Sequence, residues 1–256
     1  MDFKHHEPPP LLSLLPSMKL DVLMIAAHPD DAELGCAGTL LQQIAAGRRV
    51  GVVDLTRGEL GSRGSAEQRD AEAAAATQLL GLHVRENLRL RDGFFVNDEA
   101  HQRQVIQVIR RYRPDILITN PNIDRHPDHG RAADLVHDAA DLAGLSTLKT
   151  EDNGAPQAPW RPQLVLQAIH NSYVRPDVAV DITAYWRQKI AVLQAFKSQF
   201  YNPEYEESTE TYISTPSFLQ TLEARSRVLG EIIGAGYAEG FTCRRELGVS
   251  DISQLR

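Results

Sequence analysis

The sequence predicts an α/β fold built on a mostly parallel sheet flanked by helices. Short apolar runs of strand length alternate with stretches of helical period, and turn residues punctuate the two. The chain of 256 residues is long enough to bury a full core. The elements follow in order. "DVLMIAA" (21–27) is a continuous apolar run, the pattern of a strand covered on both faces. "AGTLLQQIAAG" (37–47) has helical period and a glycine stop at Gly47, and "RVGVVDLT" (49–56) is the second strand. "SAEQ" (65–68) has the form of a capping box and opens an alanine-rich helix that stops near Gly81. A short strand at "ENLRL", a helix over "EAHQRQVIQVIRRYR", a strand at "DILIT" (115–119) and a helix over "DHGRAADLVHDAADLAG" continue the alternation.

The second half is less regular. Residues 150–163 are loop by composition, "LVLQAIH" and "VAVDIT" read as strands, "AYWRQKIAVLQAFKSQF" as a long amphipathic helix, and "SFLQTLEARSRVLGEIIG" as the last helix. We expect residues 1–17, proline-rich, to be an N-terminal extension with His5 and His6 facing solvent, and residues 18–256 to form a single domain.

Composition narrows the function. A hydrophobic share of 42% and a charged share of 24% are those of a soluble folded protein, and a formal charge of -7 argues against nucleic acid or an anionic membrane as the main partner. Cys36 and Cys243 are too few for a disulfide framework, which fits a reducing cytoplasm. No apolar run approaches the roughly 18 residues of a membrane span.

Ligands of an open parallel sheet bind at the carboxyl ends of its strands. Three polar clusters stand there: "HPDD" after the first strand, "TRGELGSRG" after the second and "NIDRHPDHG" after "DILIT". A catalytic zinc site needs about three nitrogen or oxygen ligands and an open water position. His28 and Asp31, three apart on a turn stiffened by Pro29, and His129 from the other loop supply such a set. Asp30 beside them suits a general base, His126 an acid or cation, and Asp128 a group that orients His126. The plain alternatives are that Asp30 and Asp31 cap the following helix and that His126 and His129 are an exposed loop pair. Glu59, Ser62 and Arg63 lie in a glycine-spaced loop that serves either a turn or substrate contact at the crevice rim. His83, His101, His137 and His170 have no partner spacing and read as structural or surface residues, and Cys36 as packed.

"AAHPDDAELGCAGTL", "LTRGELGSRG...QRDAEA" and "HPDHGRAA" resemble the LmbE-like, or PIG-L, family of zinc-dependent N-acetylglucosaminyl deacetylases, from about Met18 to "YAEGF" (237–241). The nearest resemblance is to the bacterial branch that deacetylates N-acetyl-alpha-D-glucosaminyl L-malate in bacillithiol biosynthesis. The resemblance implies a Rossmann-like fold without a dinucleotide role, frequent homo-oligomers, and zinc on His28, Asp31 and His129 with Asp30 as general base. His126 would stabilise the oxyanion or protonate the amine, Asp128 would support it, and Arg69 would bind substrate. A tyrosine of the second half would polarise the amide carbonyl; Tyr212 is the choice, with Tyr201 and Tyr205 close by. Zinc chemistry of this kind activates water and polarises the acetyl carbonyl without a redox cofactor. The same donors also accept iron, manganese or cobalt.

Three other readings are open to test. A mycothiol-type precursor or an N-acetylglucosamine oligomer would use the same zinc chemistry, whereas the malate conjugate would call on arginines such as Arg57, Arg63, Arg69 and Arg125. A metal phosphoesterase would need a second metal about 3.5 to 4 Å from the first and more bridging carboxylates. A dinucleotide-binding module lacks its G-x-G-x-x-G fingerprint here.

Overall fold

A computed structural model describes residues 18–205, 209–251 and 253. The expected N-terminal extension, with His5 and His6, lies outside the described residues. The chain order is β1 (Val22–Ala26), α1 (Asp31–Ala45), β2 (Val50–Thr56), α2 (Ala66–Leu80), β3 (Val84–Leu90), α3 (Glu99–Tyr112), β4 (Ile116–Thr119) and α4 (Pro127–Ala143), then a small ribbon of β5 (Glu151–Asp152) and β6 (Ala155–Pro156). It continues through β7 (Leu164–Ala168), β8 (Val178–Asp181), α5 (Trp186–Leu193), α6 (Pro216–Ile232) and β9 (Ala238–Thr242).

Seven strands form one sheet in the order β3-β2-β1-β4-β7-β9-β8. The first five run parallel, and β9 pairs antiparallel with both β7 and β8. The mostly parallel α/β prediction therefore holds. β1 alternates Leu23 and Ile25 toward a core shared with α3 and α4, and Val22, Met24 and Ala26 toward the face covered by α1. Both faces are filled, which is why the strand reads as an unbroken apolar run. The chain leaves β1 toward β2 on one side and β4 lies on the other, so the switch point opens between the β1 and β4 ends.

The local signals end the helices where expected. Ser65 caps α2 by accepting from the Gln68 amide, and Gly81 closes it in the left-handed region at φ 74°. The β5–β6 ribbon forms inside residues 150–163, which composition gave as loop, and three further elements depart from the sequence reading. Strand β9 carries no signal of its own, because "AEGFT" has neither alternation nor an apolar run; neighbours on both sides define it. The long helix over 184–200 stops at Leu193, and the Ser198 amide and hydroxyl go instead to Glu72 (2.8 and 2.7 Å), which draws the following turn onto α2. The first helix begins at Asp31 rather than 37 but breaks at Cys36 (φ -147°, ψ 15°), so the segment expected from sequence is its second half.

Candidate metal centre

The HPDD turn leaves β1 and enters α1 with Asp30 at φ 121°, a backbone conformation that costs a non-glycine residue of order 1–3 kcal/mol. Neither aspartate caps the helix in the ordinary way: Asp30 makes no side-chain cap bond. Its carboxylate instead pairs with Arg69 Nη2 at 3.1 Å, and the same guanidinium donates to the Pro29 carbonyl. Asp31 Oδ2 accepts from the His28 amide and from Asn120 Nδ2, both at 2.9 Å. Below the turn, Arg85 joins Glu33 (2.6 Å) and Asp54 (2.8 Å), fixing the first turn of α1 to β2 and β3.

The second loop arrives from β4. Pro127 opens α4 and His126 is its cap, with Nδ1 accepting from the Asp128 amide at 3.3 Å. One turn on, His129 Nε2 lies 3.1 Å from Asp31 Oδ1, while its Nδ1 contacts the Asp124 carboxylate. His28 Nδ1 stands 3.4 Å from Asp31 Oδ2. The ring nitrogens of His28, His126 and His129 fall within 4.8 Å of one another. The three residues read as ligands thus meet at the switch point, buried.

Charge balance tests whether this set fits a metal ion. Burial raises a carboxyl's pKa, yet the His129 and His28 imidazoles hold Asp31 well below the usual range. Burial opposes charge on the histidines too, but the Asp128, Asp31 and Asp92 carboxylates outweigh it and raise His28, and Asp31 and Asp124 raise His129 to about 9. The buried carboxylates thus draw positive charge onto the imidazoles, a charge that a divalent cation would supply instead. The donor set fits. Asp30 goes the other way: burial, partly offset by Arg69, pushes it up to about 7.

A cavity of about 460 Å³ opens over this cluster, lined among others by Asp30, Ser62, Arg63, Arg69, Arg125, His126 and Tyr212. Several expected roles change. Asp128 does not orient His126 with its carboxylate; Oδ2 faces His28 Nε2 (3.3 Å) and accepts from the Gly93 amide (2.9 Å), and Oδ1 pairs with Arg131. Glu59 is absent from the cavity wall and braces its loop, accepting from the Asp92 amide at 2.8 Å. Arg63 reaches the wall, but Nε and Nη1 are taken by the carbonyls of Ser198 and Thr209. Arg69 is committed to the HPDD turn. Arg57 points to Asp70 and Glu67 and is not part of the wall. Of the three tyrosines, Tyr212 lines the cavity, with the Arg125 guanidinium 4.5 Å from its ring centre; Tyr205 donates to Gln68, and neither it nor Tyr201 reaches the wall.

The sequence reading missed Asp92, Asp124, Asn120 and His170. Asp92 Oδ1 lies 3.1 Å from His28 Nε2 and is held down at about 2, burial being overcome by that imidazole. It follows β3, so its strand-end position was the available signal. Asp124 stood inside the quoted loop, two residues before His126. It orients His129 as carboxylates orient metal-bound imidazoles. Its side chain also accepts from the Asn171 and Ser172 amides (3.2 and 3.1 Å), tying in the loop after β7.

A profile of the PIG-L family, described as GlcNAc-PI de-N-acetylase, matches residues 23–140. Diacetylchitobiose deacetylase of Thermococcus kodakarensis is 28% identical over 251 residues, 94% of this chain and 86% of that protein. A Bacillus anthracis protein named probable N-acetyl-alpha-D-glucosaminyl L-malate deacetylase 2 is 28% identical over 196 residues, 70% of this chain and 81% of that one. The crystal structure of the conserved protein TT1542 from Thermus thermophilus superposes with a TM-score of 0.80 at 36% identity, covering 90% of this chain and 98% of its own.

Proposed function

This chain belongs to the PIG-L family, and from that premise we propose that it hydrolyses the N-acetyl group of an N-acetylglucosamine conjugate with zinc at the His28, Asp31 and His129 cluster, the conjugate being N-acetyl-alpha-D-glucosaminyl L-malate. The observation that carries the proposal is the convergence of the two strand-end loops, His129 Nε2 against Asp31 Oδ1 at 3.1 Å, beneath a cavity that Asp30 also lines. When bound, the ion would supply a Lewis acid for the acetyl carbonyl and lower the pKa of a water.

The chain's own residues divide the remaining work. Asp30, held near neutrality and aimed by Arg69, takes the proton of the attacking water and returns it to the departing amine. His126 has its pKa lowered, chiefly by burial, and its Nδ1 accepts from a backbone amide. The neutral ring therefore carries its proton on Nε2. That makes it a hydrogen-bond donor to the oxyanion rather than a cationic acid. Tyr212 sits on the same wall and suits the carbonyl-polarising role.

Support for the malate conjugate comes from Arg125, exposed on the cavity rim against Tyr212 and, among the described residues, without a carboxylate in ion-pairing reach. A diacetylated disaccharide or an inositol conjugate offers that guanidinium no anion. We further propose a homo-oligomer in the cytoplasm. Tyr173, Val228 and Ile232 are exposed apolar side chains along one cavity rim, which supports assembly, and among the described residues no helix is long and apolar enough to cross a membrane. Light scattering on the purified protein measures the mass, and a monomer would overturn the assembly.

Acetate release from N-acetylglucosaminyl-malate by zinc-loaded protein tests the reaction, with chelator-treated protein and free N-acetylglucosamine alongside. Chelator-sensitive release from the conjugate alone is expected. Release from a chitobiose or inositol conjugate but not from the malate conjugate would overturn the substrate and keep the reaction.

A further inference from the structure

Two residues beyond β7, His170 contributes a ring whose side chain is wholly buried. Neither ring nitrogen has a hydrogen-bond partner. Burying a polar group without a partner costs about 1–3 kcal/mol, so such a ring calls for an explanation. Its place is well determined. Arg225 donates to the His170 carbonyl at 2.8 Å, and Asp124 holds the next two amides. The ring lies edge-on to His129, centroids 5.0 Å apart. Nε2 is set against α1, where a Cβ on Gly35 would come within 2.3 Å of it; a glycine makes the room. Nδ1 points the other way, 3.7 Å from Asp31 Oδ1.

That oxygen matters. Asp31 Oδ2 already accepts two N–H groups, leaving Oδ1 as the oxygen open to a cation. Oδ1 faces His129 Nε2 and His170 Nδ1, and Asp31, His129 and His170 offer ligand atoms that all lie within 4.8 Å. These are distances that closure onto one ion of bond length about 2.0–2.2 Å can satisfy with small side-chain shifts.

We propose that His170 is a metal ligand, its Nδ1 joining Asp31 Oδ1 and His129 Nε2 around the ion that His28, whose Nδ1 stands 3.4 Å from Asp31 Oδ2, would also hold. The inference rests on the metal centre of the preceding section and adds to it: four protein donors, His28, Asp31, His129 and His170, in place of three. Catalytic zinc tolerates a fifth position, so the water site survives. The consequence is retention of the metal, since each added donor slows its loss.

The test is nuclear magnetic resonance of the full chain, metal-stripped and reloaded with cadmium, with nitrogen-labelled histidine. Scalar coupling between the metal and a ring nitrogen counts the coordinating imidazoles and says which nitrogen binds. Three coupled histidines are expected, one of them through a nitrogen whose signal disappears in His170→Gln. In parallel, zinc affinity is read by competition with a chromophoric chelator, where His170→Gln and His170→Phe should each bind at least tenfold more weakly. The metal-free melting temperature of both variants should not fall, because the substitutions remove a buried ring without partners.

Two coupled histidines in the wild type would overturn the proposal while leaving the metal centre intact, and so would unchanged affinity in both variants. A wild type that takes up neither metal would overturn the metal centre itself. If the variants fail to fold, the count in the wild type still decides.

Discussion

Glu239 and Lys189 lie far from the reacting groups in sequence, yet the break in α1 depends on them. At Cys36 the helix is interrupted, so the Gly38 amide and the Leu34 carbonyl, which a regular helix would pair with each other, both need other partners. Glu239, from β9, accepts from the Gly38 amide (2.9 Å), the Thr39 amide (2.7 Å) and the Thr39 hydroxyl (2.6 Å). It thus caps the second helical segment. Lys189 donates to the Leu34 carbonyl (2.7 Å) and to Glu239 (2.6 Å), and both side chains are about 1–2% exposed. Removing one partner of such a pair leaves an uncompensated buried charge, about 3–5 kcal/mol. Glu239→Gln should therefore lower stability by about 3 kcal/mol, and Glu239→Ala, which also orphans two amides, by about 5 kcal/mol. In the Lys189→Met, Glu239→Gln double variant the charge is gone, so the loss should be about 2 kcal/mol or more smaller than the sum of the singles. Urea unfolding with unchanged slope reads the wild type, the Glu239→Gln, Glu239→Ala and Lys189→Met single variants and the double variant. A Glu239→Gln protein within about 1 kcal/mol of wild type, or strictly additive losses, would refute the reasoning.

Asp30→Asn should lower kcat by about 10²–10⁴-fold with zinc content unchanged, whereas His129→Ala should lose both zinc and turnover; metal analysis beside acetate release separates them, and near-full activity of Asp30→Asn would sink its role as base. Arg125→Ala should raise KM for the malate conjugate about tenfold, the worth of one rim-exposed charged contact, and leave kcat unchanged. His137 is held down at about 4 by burial first and by the Arg244 charge second. Its folded pKa lies below its unfolded value near 6.5, so the unfolded chain binds the extra proton, and stability present above pH 6.5 is lost as pH falls toward 4. His137→Gln should flatten that loss by on the order of 1 kcal/mol at pH 5, read as the urea midpoint at pH 7 and pH 5.

Much of the fold was readable because β1, β2 and β4 are buried on both faces and declare themselves as apolar runs. The helix starts carried their own chemistry, as Ser65 and Pro127 show. β9 and the break in α1 were not readable. "AEGFT" becomes a strand because β7 and β8 offer it hydrogen bonds on both sides, and α1 breaks where Glu239, more than two hundred residues later, is ready to receive its free amides. No local window contains either cause.

The same division runs through the site. By itself the sequence placed His28, Asp30, Asp31, His126 and His129 at two strand ends and so determined which donors could meet, because a parallel sheet sends both loops to one edge. Only the tertiary structure decided how each is held. Asp128 turns to His28, Glu59 braces a loop, Arg69 grips the turn at Asp30, Asp124 orients His129 from within the quoted loop, and Asp92 and His170 join from segments with no motif. Donor type and strand-end position are local properties written in short stretches of chain. Orientation and protonation are set by burial and by charges brought close from distant segments, and those exist only once the chain has folded.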